Sequence, residues 1–82
     1  MVRTLYVGNL PWSTTEEELA KAFSVHGEVI STRIITDRQT GRSRGFGFVE
    51  VNDVDADRMV RAMNGAQLGS RTLTVNEARP RG

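Results

Sequence analysis

Arg44-Gly45-Phe46-Gly47-Phe48-Val49-Glu50-Val51 is the stretch whose reading decides the fold. With the two-residue period of a β-strand, Gly45, Gly47, Val49 and Val51 fall on one face and Arg44, Phe46, Phe48 and Glu50 on the other. The first face is small and apolar and suits burial. The second sets two large aromatics beside an arginine, although Phe is among the residue types most often buried. Flipping the strand would bury Arg44 and Glu50 and leave Val49 and Val51 in water, which strands charge in an apolar layer. The aromatic face is therefore expected to be open, and a flat partner that stacks on rings supplies a reason for it.

Immediately before this strand, Asp37 to Ser43 holds Thr40-Gly41 and no apolar residue, so it reads as the connection of a β-hairpin. Its other arm is Val29 to Thr36, rich in β-branched residues, with Thr32 and Ile34 inward and Arg33 and Ile35 outward by parity. Further upstream, Thr15 and Glu18 have the capping-box spacing, and Glu16 to Glu18 suit the positive end of a helix dipole. Leu19, Ala22 and Phe23 then share one face of a helix expected from Glu16 to His26, closed by a left-handed Gly27. The chain starts with a strand, Thr4-Leu5-Tyr6-Val7-Gly8, which sends Tyr6 to one side and Leu5 and Val7 to the other before Pro11 ends it.

Downstream, Asn52 or Asp53 can cap a second helix whose Ala56, Met59, Val60 and Met63 form an apolar stripe ending at Asn64-Gly65. Gly69 marks a turn into a last strand, Arg71 to Glu77, with Leu73 and Val75 inward and Thr72, Thr74 and Asn76 outward. The order is β-α-β-β-α-β. It specifies an α+β, ferredoxin-like sandwich in which two helices cover one face of a four-stranded antiparallel sheet. Tyr6, Phe46, Phe48 and Arg33 should then gather on the uncovered face.

An 82-residue chain makes one domain, able to bury about 60–65% of its unfolded surface. The domain is expected over residues 1–78, with 79–82 a tail. No cysteine is present, so disulfides and thiolate chemistry are excluded, and one histidine gives no metal set. No apolar run reaches the ~18 residues of a membrane span, and the start lacks a signal-peptide layout. A soluble intracellular monomer is expected, cytoplasmic first, with organelle and nucleus left open. The net charge of +1 hides an asymmetry, because Arg33, Arg38, Arg42 and Arg44 face only Asp37 within residues 33–44.

With both signatures in view, the chain resembles the RNA recognition motif family over nearly its whole length. Arg44 to Val51 is similar to the family's longer signature (RNP1) at every position but the last, where Val51 stands for an aromatic. Leu5-Tyr6-Val7-Gly8-Asn9-Leu10 resembles the shorter one (RNP2) in full. By parity Val51 belongs to the helix-covered side, so the departure concerns packing and leaves the binding face alone. The runs Thr36 to Gly45 and Thr74 to Ala78 are most similar to small single-domain bacterial and organellar RNA-binding proteins and to plant glycine-rich ones. The tail is where a flexible extension is expected.

What the resemblance implies is single-stranded RNA binding, with single-stranded DNA weaker and no cofactor. Tyr6 and Phe48 would stack on neighbouring bases, Phe46 would pack on a ribose, and Arg44 would pair with phosphate. Arg33, Asn76, Ala78 and Arg79 are nominated more loosely, and Arg42 through its place beside the aromatics. Open rings favour unpaired strands, because a duplex hides its base faces.

Trp12 reads as a cover over the first helix and His26 as a surface residue at a helix end. Gly45-x-Gly47 lacks a third glycine and lies inside a strand, which rules out a dinucleotide loop. Enzymatic function is not expected, since no base stands beside a nucleophile. The alternative is a protein-interaction module on the same fold. Some domains of this fold bind peptides through their helices, and those that resemble the U2AF-homology type typically lose these aromatics and carry Arg-x-Phe after the second helix, where this chain has Arg71-Thr72-Leu73.

Overall fold

The computed structural model describes residues 1–41 and 43–78, the side chains of Ser43 and Arg44 excepted. Arg42, the Arg44 side chain, Arg79 and the tail thus lie outside the described residues. In chain order the elements are β1 (Val2–Gly8), α1 (Glu16–Ser24), β2 (Val29–Thr36), β3 (Ser43–Asn52), α2 (Asp53–Met63), β4 (Gln67–Leu68), β5 (Arg71–Thr72) and β6 (Thr74–Glu77). Four of them form an antiparallel sheet in the order β2-β3-β1-β6, and β4 pairs with β5 as a separate ribbon.

The core lies between one sheet face and the helices. Leu5 and Val7 of β1, Val49 and Val51 of β3 and Val75 of β6 meet Leu19 and Phe23 of α1 and Ala56, Met59 and Met63 of α2, all buried. Each Val, Leu, Phe or Met among them removed from water contributes about 1.5–3 kcal/mol, so this layer carries the fold. Val51 is fully buried, as the alternation requires of that position.

Helix α1 starts where its cap dictates. Glu18 N–H donates to Thr15 Oγ1 at 3.1 Å while Thr15 N–H donates to Glu18 Oε1 at 3.0 Å, the reciprocal capping box. Its end differs from expectation. The helix stops at Ser24, Val25 at its C-cap is right-handed, and Gly27 is not among the residues with positive φ. A Cβ at Gly27 would come within 3.1 Å of the Asp55 carboxylate, so Gly27 stands there for close approach and not for a left-handed turn.

Both outer strands have an inward-facing lock on their free edge. Ile34 N–H of β2 donates to Glu16 Oε2 at 3.0 Å, and Val75 N–H of β6 donates to Asn64 Oδ1 at 3.1 Å. Edge amides satisfied by side chains do not invite another strand. At one end of the core Arg3 bridges Glu77 and Asp53. Hydrogen bonds first to Glu77 and then to Asp53 raise its guanidinium further above its ordinary value.

Two more expectations are corrected. The last strand does not run unbroken from Arg71: Gln67–Leu68 folds back on Arg71–Thr72 as a ribbon, and the sheet strand begins only at Thr74. Leu73, between them, is held by Leu73 N–H donating to Ala66 O at 2.7 Å and Gly65 N–H donating to Leu73 O at 2.8 Å. Trp12 is 68% exposed and therefore does not serve as a cover.

Candidate nucleic-acid interface

The face opposite the helices is organised by cross-strand register. Arg33 pairs with Phe48, Phe48 with Tyr6 and Tyr6 with Asn76, so one row crosses β2, β3, β1 and β6. Beside it, Ser31 pairs with Glu50 and Glu50 with Thr4, and Ala78 N–H donates to Thr4 O at 2.9 Å, which brings Ala78 alongside. On the other side, Phe46 pairs with Gly8 and Gly8 with Thr74. Directly opposed residues stand about 4.5–5.5 Å apart, so these rows are contiguous surface.

The three rings form one cluster. Tyr6 and Phe46 have centroids 5.9 Å apart with planes inclined by 30°. Tyr6 and Phe48 are 6.1 Å apart at 66°, and Phe46 and Phe48 are 6.2 Å apart at 87°. All three side chains are half-buried, and Arg33 and Asn76 are exposed. A platform of this kind holds its shape through ring-to-ring contact.

Two glycines set where the rings and strands sit. The Tyr6 ring lies back along its own strand, so that a Cβ at Gly8 would be 2.6 Å from the Tyr6 hydroxyl oxygen. Gly47 lies under a bend of β2, and a Cβ there would be 2.3 Å from the Arg33 carbonyl oxygen. The register of β2 against β3 slips on both sides of this point, between Val29 and Ser31 and between Ile34 and Thr36. Such irregularities re-aim side chains next to binding sites.

Sequence reasoning placed Tyr6, Phe46, Phe48, Arg33, Asn76 and Ala78, and the structure brings these six to one face. It missed Glu50 and Ser31, whose hydroxyl donates to Glu50 Oε1. The outward parity of Glu50 was legible, but its pairing needed the register of β2. It also missed Asn9, left-handed with φ 62°, which donates to Thr72 O at 2.6 Å and accepts from Arg71 at 2.9 Å. Asn9 ties the end of β1 to the small ribbon, and asparagine tolerates that backbone. In the β2-β3 loop, Gly41 N–H donates to Asp37 O at 2.7 Å and Gln39 N–H to Asp37 Oδ1 at 2.8 Å. Asp37 thus shapes the loop while Arg38 stays exposed.

A half-open sheet with aromatics at the centre of its two middle strands defines a class of domain, and the comparisons agree. The family model for the RNA recognition motif matches residues 5–74, and the chain belongs to this family. The glycine-rich RNA-binding protein blt801 of Hordeum vulgare is 53% identical over 77 residues, covering 93% of this chain and 48% of that protein. RbpE of Nostoc sp., named for RNA binding, is 49% identical over 79 residues, covering 95% of this chain and 80% of that protein. The Rna15 domain solved with bound RNA (GU) is 39% identical with a TM-score of 0.82, covering 95% of this chain and 84% of that one. The chain spans about half the length of the plant relative.

Proposed function

We propose that the open sheet face binds single-stranded RNA. Tyr6 and Phe48 stack on neighbouring bases, Phe46 packs on the ribose between them, and Arg44 pairs with a phosphate. Arg33 and Asn76 contact the strand at the two ends of the central row, Ala78 lies at its exit, and Arg42 and Arg79 add positive charge. The observation that carries this reading is the row Arg33–Phe48–Tyr6–Asn76, two rings flanked by polar groups on a face the core does not use. Relatives named for RNA binding, and one solved with RNA, support it.

Base stacking on aromatics is worth about 1–3 kcal/mol per base. Two or three stacks, less the entropy of ordering the strand, give an affinity on the order of micromolar. Single-stranded DNA binds more weakly through lost 2′-hydroxyl contacts, and a duplex, with its base faces hidden, more weakly still. The test is a selection from a random single-stranded RNA pool, with the winner titrated as RNA, as DNA and as duplex. A blunt duplex bound more tightly than the single strand would refute the reading.

A further inference from the structure

We infer that Glu50, held by Ser31, makes this face select guanine for the base stacked on Phe48. The inference rests on the stacking proposed above and adds the chemistry of the base. Phe48, Glu50, Ser31, Arg33, Thr4 and Thr32 line one hollow on the open face. Four of these residues form a square: Glu50 is the next residue after Phe48 on the same face of β3, while Arg33 stands across from Phe48 and Ser31 across from Glu50. A base lying on the Phe48 ring therefore meets an acceptor carboxylate along the strand and a donor guanidinium at right angles to it.

The Ser31 hydroxyl donates to Glu50 Oε1, which ties down the carboxylate of a residue lining the hollow and takes up only one of its several acceptor positions. An ionised carboxylate offers acceptors only, and it matches two adjacent donors. Guanine presents such a pair, N1–H and the N2 amine. Its neighbouring edge carries O6 and N7, both acceptors, which suit an arginine. Adenine and cytosine each place a ring-nitrogen acceptor next to their single amine, and that lone pair would face a carboxylate oxygen. Uracil flanks its one N–H with two carbonyls. Only guanine satisfies both sides of the square.

The test compares short single-stranded RNAs that carry guanine, inosine or uracil at one position, titrated against the parent chain and the Glu50→Gln, Ser31→Ala and Phe48→Ala variants. Inosine is guanine without the N2 amine. A good bidentate pair discriminates by roughly 5- to 100-fold, so the parent should prefer guanine to inosine and uracil by that factor. Glu50→Gln removes a negative charge and so strengthens every RNA somewhat, but the ratio of guanine to inosine cancels this and should collapse to within about twofold. Ser31→Ala, a smaller change at the same carboxylate, should lower the ratio in part. All four chains are to share one melting temperature within a few degrees.

If Phe48→Ala leaves affinity for all three RNAs intact, the stacking itself is wrong. If Phe48→Ala weakens all three while the parent treats guanine and inosine alike, or Glu50→Gln keeps the full preference, the stacking stands and the role of Glu50 is overturned.

Discussion

The two faces of β3 are built from adjacent residues and answer to different demands. Val49 and Val51 point into the helix-covered layer and are fully buried. Phe46 and Phe48, the larger side chains, lie on the open side and stay half-buried among each other and Tyr6. By hydrophobicity alone the aromatics belong inside. Strand β3 gives its covered face to small branched residues and carries its two rings on the open side. Alternate residues of one strand thus serve the folded layer and the open face, and on the proposed function the second set is buried only on binding.

The division is tested most severely away from β3, at the centre of the covered layer. Phe23 of α1 is fully buried, and Phe23→Ala should cost about 3–5 kcal/mol. That is a large part of the whole stability of a small domain, so a melting curve should show a strongly lowered or absent transition. A mild effect would mean that the layer between helices and sheet is not the core.

On β3 itself the two faces should fail in opposite ways. Val51→Ala should lower stability by about 1–3 kcal/mol and leave the affinity of the folded fraction nearly unchanged. Phe48→Ala, and Tyr6→Ala likewise, should keep the melting temperature near that of the parent while affinity falls roughly five- to a hundredfold through one lost stack. Melting and RNA titration at one salt concentration measure both. Silence at Val51 together with unfolding at Phe48 would reverse the assignment of faces.

How much of this was legible in the sequence follows from the same alternation. Period-two patterning fixed both faces of β3, since a one-residue slip exposes Val49 and Val51 and buries Arg44 and Glu50. It also placed Tyr6, Arg33 and Asn76. The β4-β5 ribbon was not legible, because strands of two residues carry no period, and Gln67–Leu68 reads as loop. Gly27 misled for a different reason: a glycine after a helix usually signals a left-handed cap, whereas here it makes room for Asp55, a residue distant in sequence. The Ser31–Glu50 contact depends on a strand register that slips twice, which no local pattern encodes. Parity and element order were readable, and contacts set by a slipped register or by a residue distant in sequence were not.

A smaller effect separates charge from stacking on the open face. Replacing Arg44 by Gln should weaken RNA binding and flatten the log-log salt dependence by about 0.7, one phosphate on a single strand. Phe48→Ala should weaken binding without changing that slope. Titrations at several salt concentrations tell the two apart, and an unaltered slope in the Arg44 variant would remove it from phosphate contact.

The smallest expected effect on affinity comes from a contrast of two glycines, one against each side of the comparison. Neither Gly8 nor Gly47 has a positive φ, so alanine fits the backbone at both, and only the neighbours differ. At Gly47 the added Cβ meets the Arg33 carbonyl oxygen at 2.3 Å, and paired strands must part to admit it. Gly47→Ala should therefore lose about 1–3 kcal/mol, as overpacking does. At Gly8 the obstacle is the far end of the Tyr6 side chain, 2.6 Å away, which can swing aside. Turning that ring off its rotamer costs about 0.5–1.5 kcal/mol, and alanine in a strand recovers about 0.5–1 kcal/mol relative to glycine, so the melting temperature of Gly8→Ala should stay close to that of the parent. The displaced ring no longer lies in the platform. Affinity for single-stranded RNA should fall about two- to fivefold, part of the 1–3 kcal/mol that a full stack contributes. Near-ultraviolet circular dichroism of the single tyrosine reports the ring's movement directly. Should Gly8→Ala melt as early as Gly47→Ala, the Tyr6 ring is a fixed part of the folded layer, and the division of labour between the two faces of the sheet does not hold at β1.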